Sequence, residues 1–277
     1  MNIVGLLIFL MPLIIIYGIY QFHLIGKGKA FYFNRVKWST KITRAKYIEL
    51  DGILTKRIYF YKGLSDNGKA KFINRICNLL LIKKFEGKSG LMLTSEIKVV
   101  ACASIVQVTY GLRSYELDNI KGFNIYPTVF YNSLMKAYLK GSSPPEGMIS
   151  LSWKDLEHGF LVENDKYNLG LHEVAHSLKS SLKHAYDFDY KYSSYIKQWE
   201  EVGHVEFKKM KRGEESFLRK YAGVNEHEFF AVCIEHFFEV PEQFQFNLPK
   251  VSYHLSVLLN LDPLNVSGNY QLVNQPL

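Results

Sequence analysis

The longest apolar run opens the chain. "MNIVGLLIFLMPLIIIYGIY", residues 1–20, carries no charged side chain, and about 20 apolar residues are what a helix needs to cross the hydrocarbon core of a bilayer. Pro12 permits a kink without forbidding a span. A cleaved leader would show a positive n-region and a small-residue cleavage site. No Lys or Arg precedes this run, and "YQFHLIGKGK" follows it without an A-x-A pattern. The pattern predicts a retained transmembrane anchor over residues 1–22.

From residue 50 onward two shorter periods alternate. "NGKAKFINRICNLLLIKKF", 67–85, places apolar residues at Phe72, Ile73, Ile76, Leu79 and Leu80, which is helical spacing. "GLMLTSEIKVVACASIVQVTYGL", 90–112, begins like a strand and continues as a buried Ala/Val-rich helix. "GFNIYPTVFY", 122–131, reads as strand broken at Pro127, and "GSSPPEG", 141–147, as a loop. In "MISLSWKDL", 148–156, alternation sets Ser150 and Ser152 against Ile149, Leu151 and Trp153, so a short strand is expected. That strand is a candidate edge for an extended substrate. Two helical patterns follow, around "NLGLHEVAHSLK" (168–179) and "YAGVNEHEFFAVCIEHFFEVPEQF" (221–244). No internal repeat or low-complexity tract interrupts the chain. The elements predict one mixed α+β domain over residues 50–277.

Composition changes this picture in two places. The 277-residue chain carries a formal net charge of +8, but residues 21–48 hold Lys27, Lys29, Arg35, Lys37, Lys41, Arg44 and Lys46 and no acid. The remainder is nearly neutral, so the basic balance gives no case for a nucleic-acid surface. A basic juxtamembrane segment, 23–49, directly after an apolar span predicts contact with anionic head groups. The positive-inside rule then places the following domain in the cytoplasm, on a single-pass protein of the cytoplasmic (inner) membrane. Cys77, Cys102 and Cys233 are widely spaced and form no CxxC pair; buried reduced thiols are expected, in keeping with a reducing compartment.

Candidate chemistry lies in "HEVAH", 172–176. On a helix His172 and His176 stand one turn apart and project from one face, where two imidazoles reach a single tetrahedral zinc. Glu173 lies about 100° round the helix, able to flank a metal as general base without ligating it. Leu171, Val174, Ala175, Leu178 and Leu182 cover the adjoining arc. Chance delivers the pentapeptide in about 1% of chains this long, so an ordinary amphipathic helix with two solvated histidines is the rival reading. The flanks "VENDKYN" and "KSSLKH" are too polar for an intramembrane site. Lys179 and Leu182 stand where the metzincin pattern needs Gly and His. A third ligand is expected from the helical segment 221–244, whose Phe229, Phe230, Cys233, Ile234, Phe237 and Phe238 make a broad apolar face, with Glu228, Val232, Glu235 and Glu239 opposite. Spacing alone leaves Glu226, Glu228, Glu235, His227 and His204 as candidates.

The segments "KKFEGKSGLMLTSEIKVVACASIVQVTYGL", "IYPTVF", "ISLSWKDLEHG", "NLGLHEVAHSL", "NEHEFFAVCIEHFFEVPEQF" and "DPLN" run in one order through about residues 50–265. Together they resemble the Mlc titration factor A family of zinc-dependent peptidases, whose catalytic fold is similar to that of anthrax lethal factor. The resemblance implies a zincin-like α+β domain with a gluzincin-type site and one zinc ion per chain. His172 and His176 fall on the histidine ligands and Glu173 on the catalytic glutamate. Glu228 falls on the third ligand, and Tyr221, seven residues earlier, on the tyrosine that helps polarise the substrate carbonyl. There are departures: "HEVAH" stands for the commoner "HEFAH" and "HSLK" for "HKLD". The best-known member is soluble and binds the repressor Mlc, and no motif here marks that surface. The function implied is hydrolysis of peptide bonds in a peptide or protein substrate by metal-activated water, with Glu173 as general base. The alternative is a membrane-tethered binding module that sequesters a transcription factor or signalling protein, with incidental peptidase activity.

Overall fold

The computed structural model describes residues 42–184 and 190–272, apart from the side chains of 183–194. The expected anchor, 1–22, and most of the basic segment lie outside the described residues. Among the described residues no helix is long and apolar enough to cross a membrane.

Thr43 opens the first helix, its side chain accepting from the amide of Lys46, and α1 (Arg44–Arg57) runs without interruption across residue 50. Leu50 and Leu54 are fully buried in the common core. A domain start at residue 50 would cut this helix, so the folded unit takes in the last residues of the basic segment. After the short α2 (Tyr59–Lys62), α3 (Asp66–Ile82) follows the expected spacing, with Phe72, Ile73, Ile76 and Leu79 inside. It stops sooner than its pattern suggested, because Lys84–Gly87 form strand β1. The strand-like start expected at residue 90 is a turn instead. Ser89 (φ 52°) and Gly90 (φ 80°) are left-handed, and extended pairing cannot continue through two such residues.

α4 (Ser95–Val108) is the central helix. It is buried on nearly every side, as an all-apolar helix must be. The chain returns through β2 (Gly122–Tyr126), then a separate hairpin of β3 (Phe130–Asn132) and β4 (Ala137–Leu139), then β5 (Gly141–Ser142) and β6 (Met148–Ser152). The main sheet has the order β1-β2-β6-β5, with β1, β2 and β6 parallel and β5 antiparallel. Phe123, Ile125, Ile149 and Leu151 turn into the core, as the alternation required. β6 is paired on both sides, so it is not the edge proposed for it. The edge on that side of the sheet is β5, inside the segment expected to be a loop. Two residues are too few to show a period.

Ser152 caps the next helix by accepting from the amide of Asp155, so α5 (Trp153–Leu161) begins where strand was expected to continue. α6 (Leu169–His184) packs on α4 and on α8 (Glu226–Glu239); α7 (Tyr190–Lys211) and α10 (Pro249–Leu259) pack together, and α9 (Pro241–Asn247) joins α8 to α10. All three cysteines are free and buried. The mixed helix-and-sheet domain agrees with the expected class.

Candidate metal centre

Two helix starts place the site. Asn168 begins α6: its Oδ1 accepts from the amide of Leu171 at 3.2 Å, and its Nδ2 donates to the carbonyl of Gly159 at 2.6 Å. One face of α6 then buries Leu171, Val174, Ala175 and Leu178 against α4 and α8. Asn225 begins α8, with Oδ1 accepting from the amides of His227 at 2.8 Å and Glu228 at 3.0 Å. A carboxylate in the first turn suits the positive end of the helix dipole. Lys179, buried on α6, donates to the carbonyl of Glu226 at 2.5 Å and so ties the two helices beside the site.

The crossing brings three atoms together. His172 Nε2 lies 3.1 Å from His176 Nε2 and 3.1 Å from Glu228 Oε2, and His176 Nε2 lies 3.5 Å from the same oxygen. Ligand atoms about 2.0–2.1 Å from a tetrahedral ion stand about 3.3–3.4 Å apart, so the triangle has the right size for one. His172 Nδ1 is already paired with Glu235 Oε1 at 2.7 Å, which orients its Nε2 lone pair toward the triangle. Glu228 Oε2 is buried and accepts from no donor. Two imidazole nitrogens and a carboxylate oxygen converging on one point form a site that attracts a cation, a proton or a metal ion. Electrostatics agree. Burial lowers the His172 pKa, but Glu228, Glu235 and Glu173 outweigh it and hold it up at about 10. Glu228 moves the other way: burial raises its carboxyl, and the two imidazoles bring it far below the usual range. Among the described residues, His172, His176 and Glu228 form the metal-capable cluster.

Behind His172 lies a closed network. Glu235, only 2% exposed, receives His172 Nδ1, the guanidinium of Arg219 and, at 2.8 Å, the amide of Asn168. Arg219 stands two residues before Tyr221, in the approach to a 3-10 turn (Lys220–Gly223), and stacks over Tyr167 at 3.9 Å. Tyr221 is half exposed, with its ring centroid 6.1 Å from that of His172. Burial raises its phenol pKa, and the Glu228 carboxylate raises it further.

Glu173 is buried beside the triangle. Ser143 Oγ reaches its Oε2 at 2.7 Å and its backbone carbonyl at 2.8 Å. Burial raises the Glu173 carboxyl; the two histidines and Ser143 act against that rise. The edge strand closes the cradle. A Cβ at Gly141 would overlap Glu173 Oε1 and Leu169 Cδ1, so only glycine lets β5 pass this close.

The helix crossing thus selects among the candidates left open by spacing. Glu228 meets the histidines. Glu226 points to an exposed pair with His204 Nδ1 at 2.6 Å, and Glu235 stands behind the ligand rather than in the triangle. The face of α8 that carries Glu235 is buried, not solvated. Ser143, Gly141, Arg219 and Asn168 were not singled out from the sequence. Only Asn168 carries a local signal, an Asn directly before a helical pattern.

Comparison with known proteins bears on the same residues. The model of the glucose-regulated metallo-peptidase M90 family matches residues 35–258. The chain belongs to that family. M90 membership agrees with the resemblance to the Mlc titration factor A family. An uncharacterized Synechocystis sp. protein, slr2042, is 24% identical over 233 residues, covering 76% of this chain and 83% of the relative. The Mlc titration factor A proteins of Yersinia pestis and Yersinia pseudotuberculosis are each 25% identical over 219 residues, covering 73% of this chain and 80% of theirs. The M90 match includes His172, Glu173, His176, Tyr221 and Glu228.

Proposed function

We propose that this M90 chain is a zinc-dependent peptidase that hydrolyses peptide bonds at the α6–α8 crossing. The observation that carries the reading is the convergence of His172, His176 and Glu228 on one point, with a buried carboxylate, Glu173, held beside it. Two imidazoles and one carboxylate suit zinc, and three protein ligands leave the open position a catalytic site needs. Zinc held there supplies Lewis acidity and makes water acidic enough, with a pKa near about 7, for a carboxylate to deprotonate.

The chain's own groups do the rest. Glu173 takes the water proton on its carboxylate and passes it to the leaving amine. Ser143, on Oε2, stops that carboxylate from rotating. Tyr221 keeps its proton, because burial and Glu228 raise its pKa, and it donates a hydrogen bond to the oxyanion. Strand β5 offers the edge beside Glu173 for an extended peptide.

The test compares wild type with Glu173→Gln by metal analysis and digestion of a peptide library. The variant should retain one zinc per chain and lose cleavage by about 10²–10⁴-fold, the usual worth of a general base. Undiminished cleavage would remove Glu173 from the mechanism. A second reading, sequestration of a regulatory protein, draws support from the name of the Yersinia relatives. The same variant separates the two: rescue of a deletion phenotype by Glu173→Gln favours binding over hydrolysis.

We place the protein at the cytoplasmic face of the membrane, supported by the uncharged run at 1–20 and the basic stretch after it. Its recovery in the soluble fraction after cell lysis would count against an anchor.

A further inference from the structure

The β3–β4 hairpin stands outside the main sheet and has no part in the metal centre. Its turn is built. Asn132 Oδ1 accepts from the amides of Leu134 and Met135, each at 3.0 Å, and Lys136 takes the left-handed conformation (φ 50°) that closes it. The turn holds its two apolar side chains outward: Leu134 is 93% exposed and Met135 67%. Directly below, Tyr131 and Tyr138 face each other across the strands, ring centroids 5.4 Å apart, 57% and 73% exposed. Residues 128–140 contain no acid; Lys140, at the base, is paired with Asp155 at 2.8 Å, and Lys136 stands in the turn.

We propose that this hairpin enters the surface of a bilayer containing anionic lipid. Apolar side chains at the tip meet acyl chains, tyrosines sit at head-group level with one apolar face and one wet hydroxyl, and Lys136, in the turn itself, extends its long side chain back to the phosphates. A protein partner fits less well, because a stable interface engages about 20–30 residues a side. This convex tip offers a handful. The chain also brings a second lipid-facing segment of its own, the uncharged residues 1–20 with seven basic residues in 21–48. Lys140 runs directly into Gly141, so the hairpin is continuous with the strand that cradles Glu173.

The experiment uses the full chain carrying Leu134→Cys, labelled with an environment-sensitive fluorophore. The three native thiols are buried. Glu242→Cys, on the exposed side of α9, is the control, and Met135→Cys repeats the test one residue on. On phosphatidylcholine–phosphatidylglycerol vesicles, the labels at 134 and 135 should shift to the blue. Lipid-borne quenchers should quench them several-fold more than the control, and less on pure phosphatidylcholine. A water-like label at 134 on vesicle-bound protein overturns the proposal. So does equal quenching on neutral vesicles, or a blue shift in lipid-free detergent that grows with protein concentration, which would mark a second copy as the occupant.

Discussion

The front and back of the candidate metal centre are built from similar groups and behave oppositely. At the front, Glu228 turns Oε2 toward two imidazole nitrogens, and no backbone amide or guanidinium reaches that oxygen. At the back, Glu235, on the same helix seven residues later, is saturated by His172, Arg219 and Asn168. One carboxylate is left for a cation; the other has been given its cations and donors by the protein. The difference lies in neither the residue type nor the helix. It comes from which distant segments deliver donors: the Asn168 turn and Arg219 both arrive at the back, and neither reaches the front. The front can exchange its charge for a metal, while the back stays closed and keeps His172 aimed.

The largest effect should come from emptying the front. Glu228→Ala should abolish zinc retention through gel filtration, read by metal analysis. If Glu226→Ala did this instead, the front would be wrongly assigned. Next is the cradle beside it. Gly141→Ala pushes a methyl group into Glu173 Oε1, and a displacement of about 1 Å at a reacting group costs about 10²-fold. The loss should fall on kcat with zinc content unchanged; an unaltered kcat would show that β5 does not position Glu173.

Breaking the back should cost affinity rather than the ligand. Glu235→Ala leaves His172 free to turn and the largely covered Arg219 guanidinium without its carboxylate. Zinc affinity should fall about 10–100-fold, and the protein should lose about 3–5 kcal/mol of stability. Competition with a chelator and denaturant unfolding read the two. A full loss of zinc, equal to that of Glu228→Ala, would erase the distinction between front and back.

The smallest effect concerns Glu239, one turn further along α8, where Asn164 and Asn168 each donate to it at 3.2 Å. Burial, helped by Asp165, raises its pKa from 4.5 to about 8 against the pull of Asn168. The folded state therefore holds this proton more tightly than the unfolded chain. That stabilisation is complete below pH 4.5 and is lost as pH rises through about 8. Glu239→Gln, which cannot ionise, should lose less Tm than wild type over that interval. Parallel Tm curves would mean that Glu239 is not protonated in the fold.

Much of the fold was legible along the chain. The apolar spacing of α3, α6 and α8 and the alternation of β2 and β6 place the side chains that are buried. Misreadings gathered where an element is short or a boundary depends on one turn. The paired left-handed residues at 89 and 90 end β1, and the cap at Ser152 starts α5 early. The boundary at residue 50 follows the charge pattern, while α1 starts at Arg44 and Ile42 and Tyr47 already pack on the core.

At the site the division is sharper. Two histidines at i and i+4 share a face of any helix, because 3.6 residues make a turn. The pairing of His172 with His176, and the place of Glu173 beside it, are therefore written in the local sequence. No such rule links Glu228 to that face, or Ser143 and Gly141 to Glu173, or Arg219 to Glu235. Those contacts join residues 16 to 56 positions apart. They exist only because α6 crosses α8 and β5 runs along α6, and the donors each buried carboxylate meets are settled by that packing.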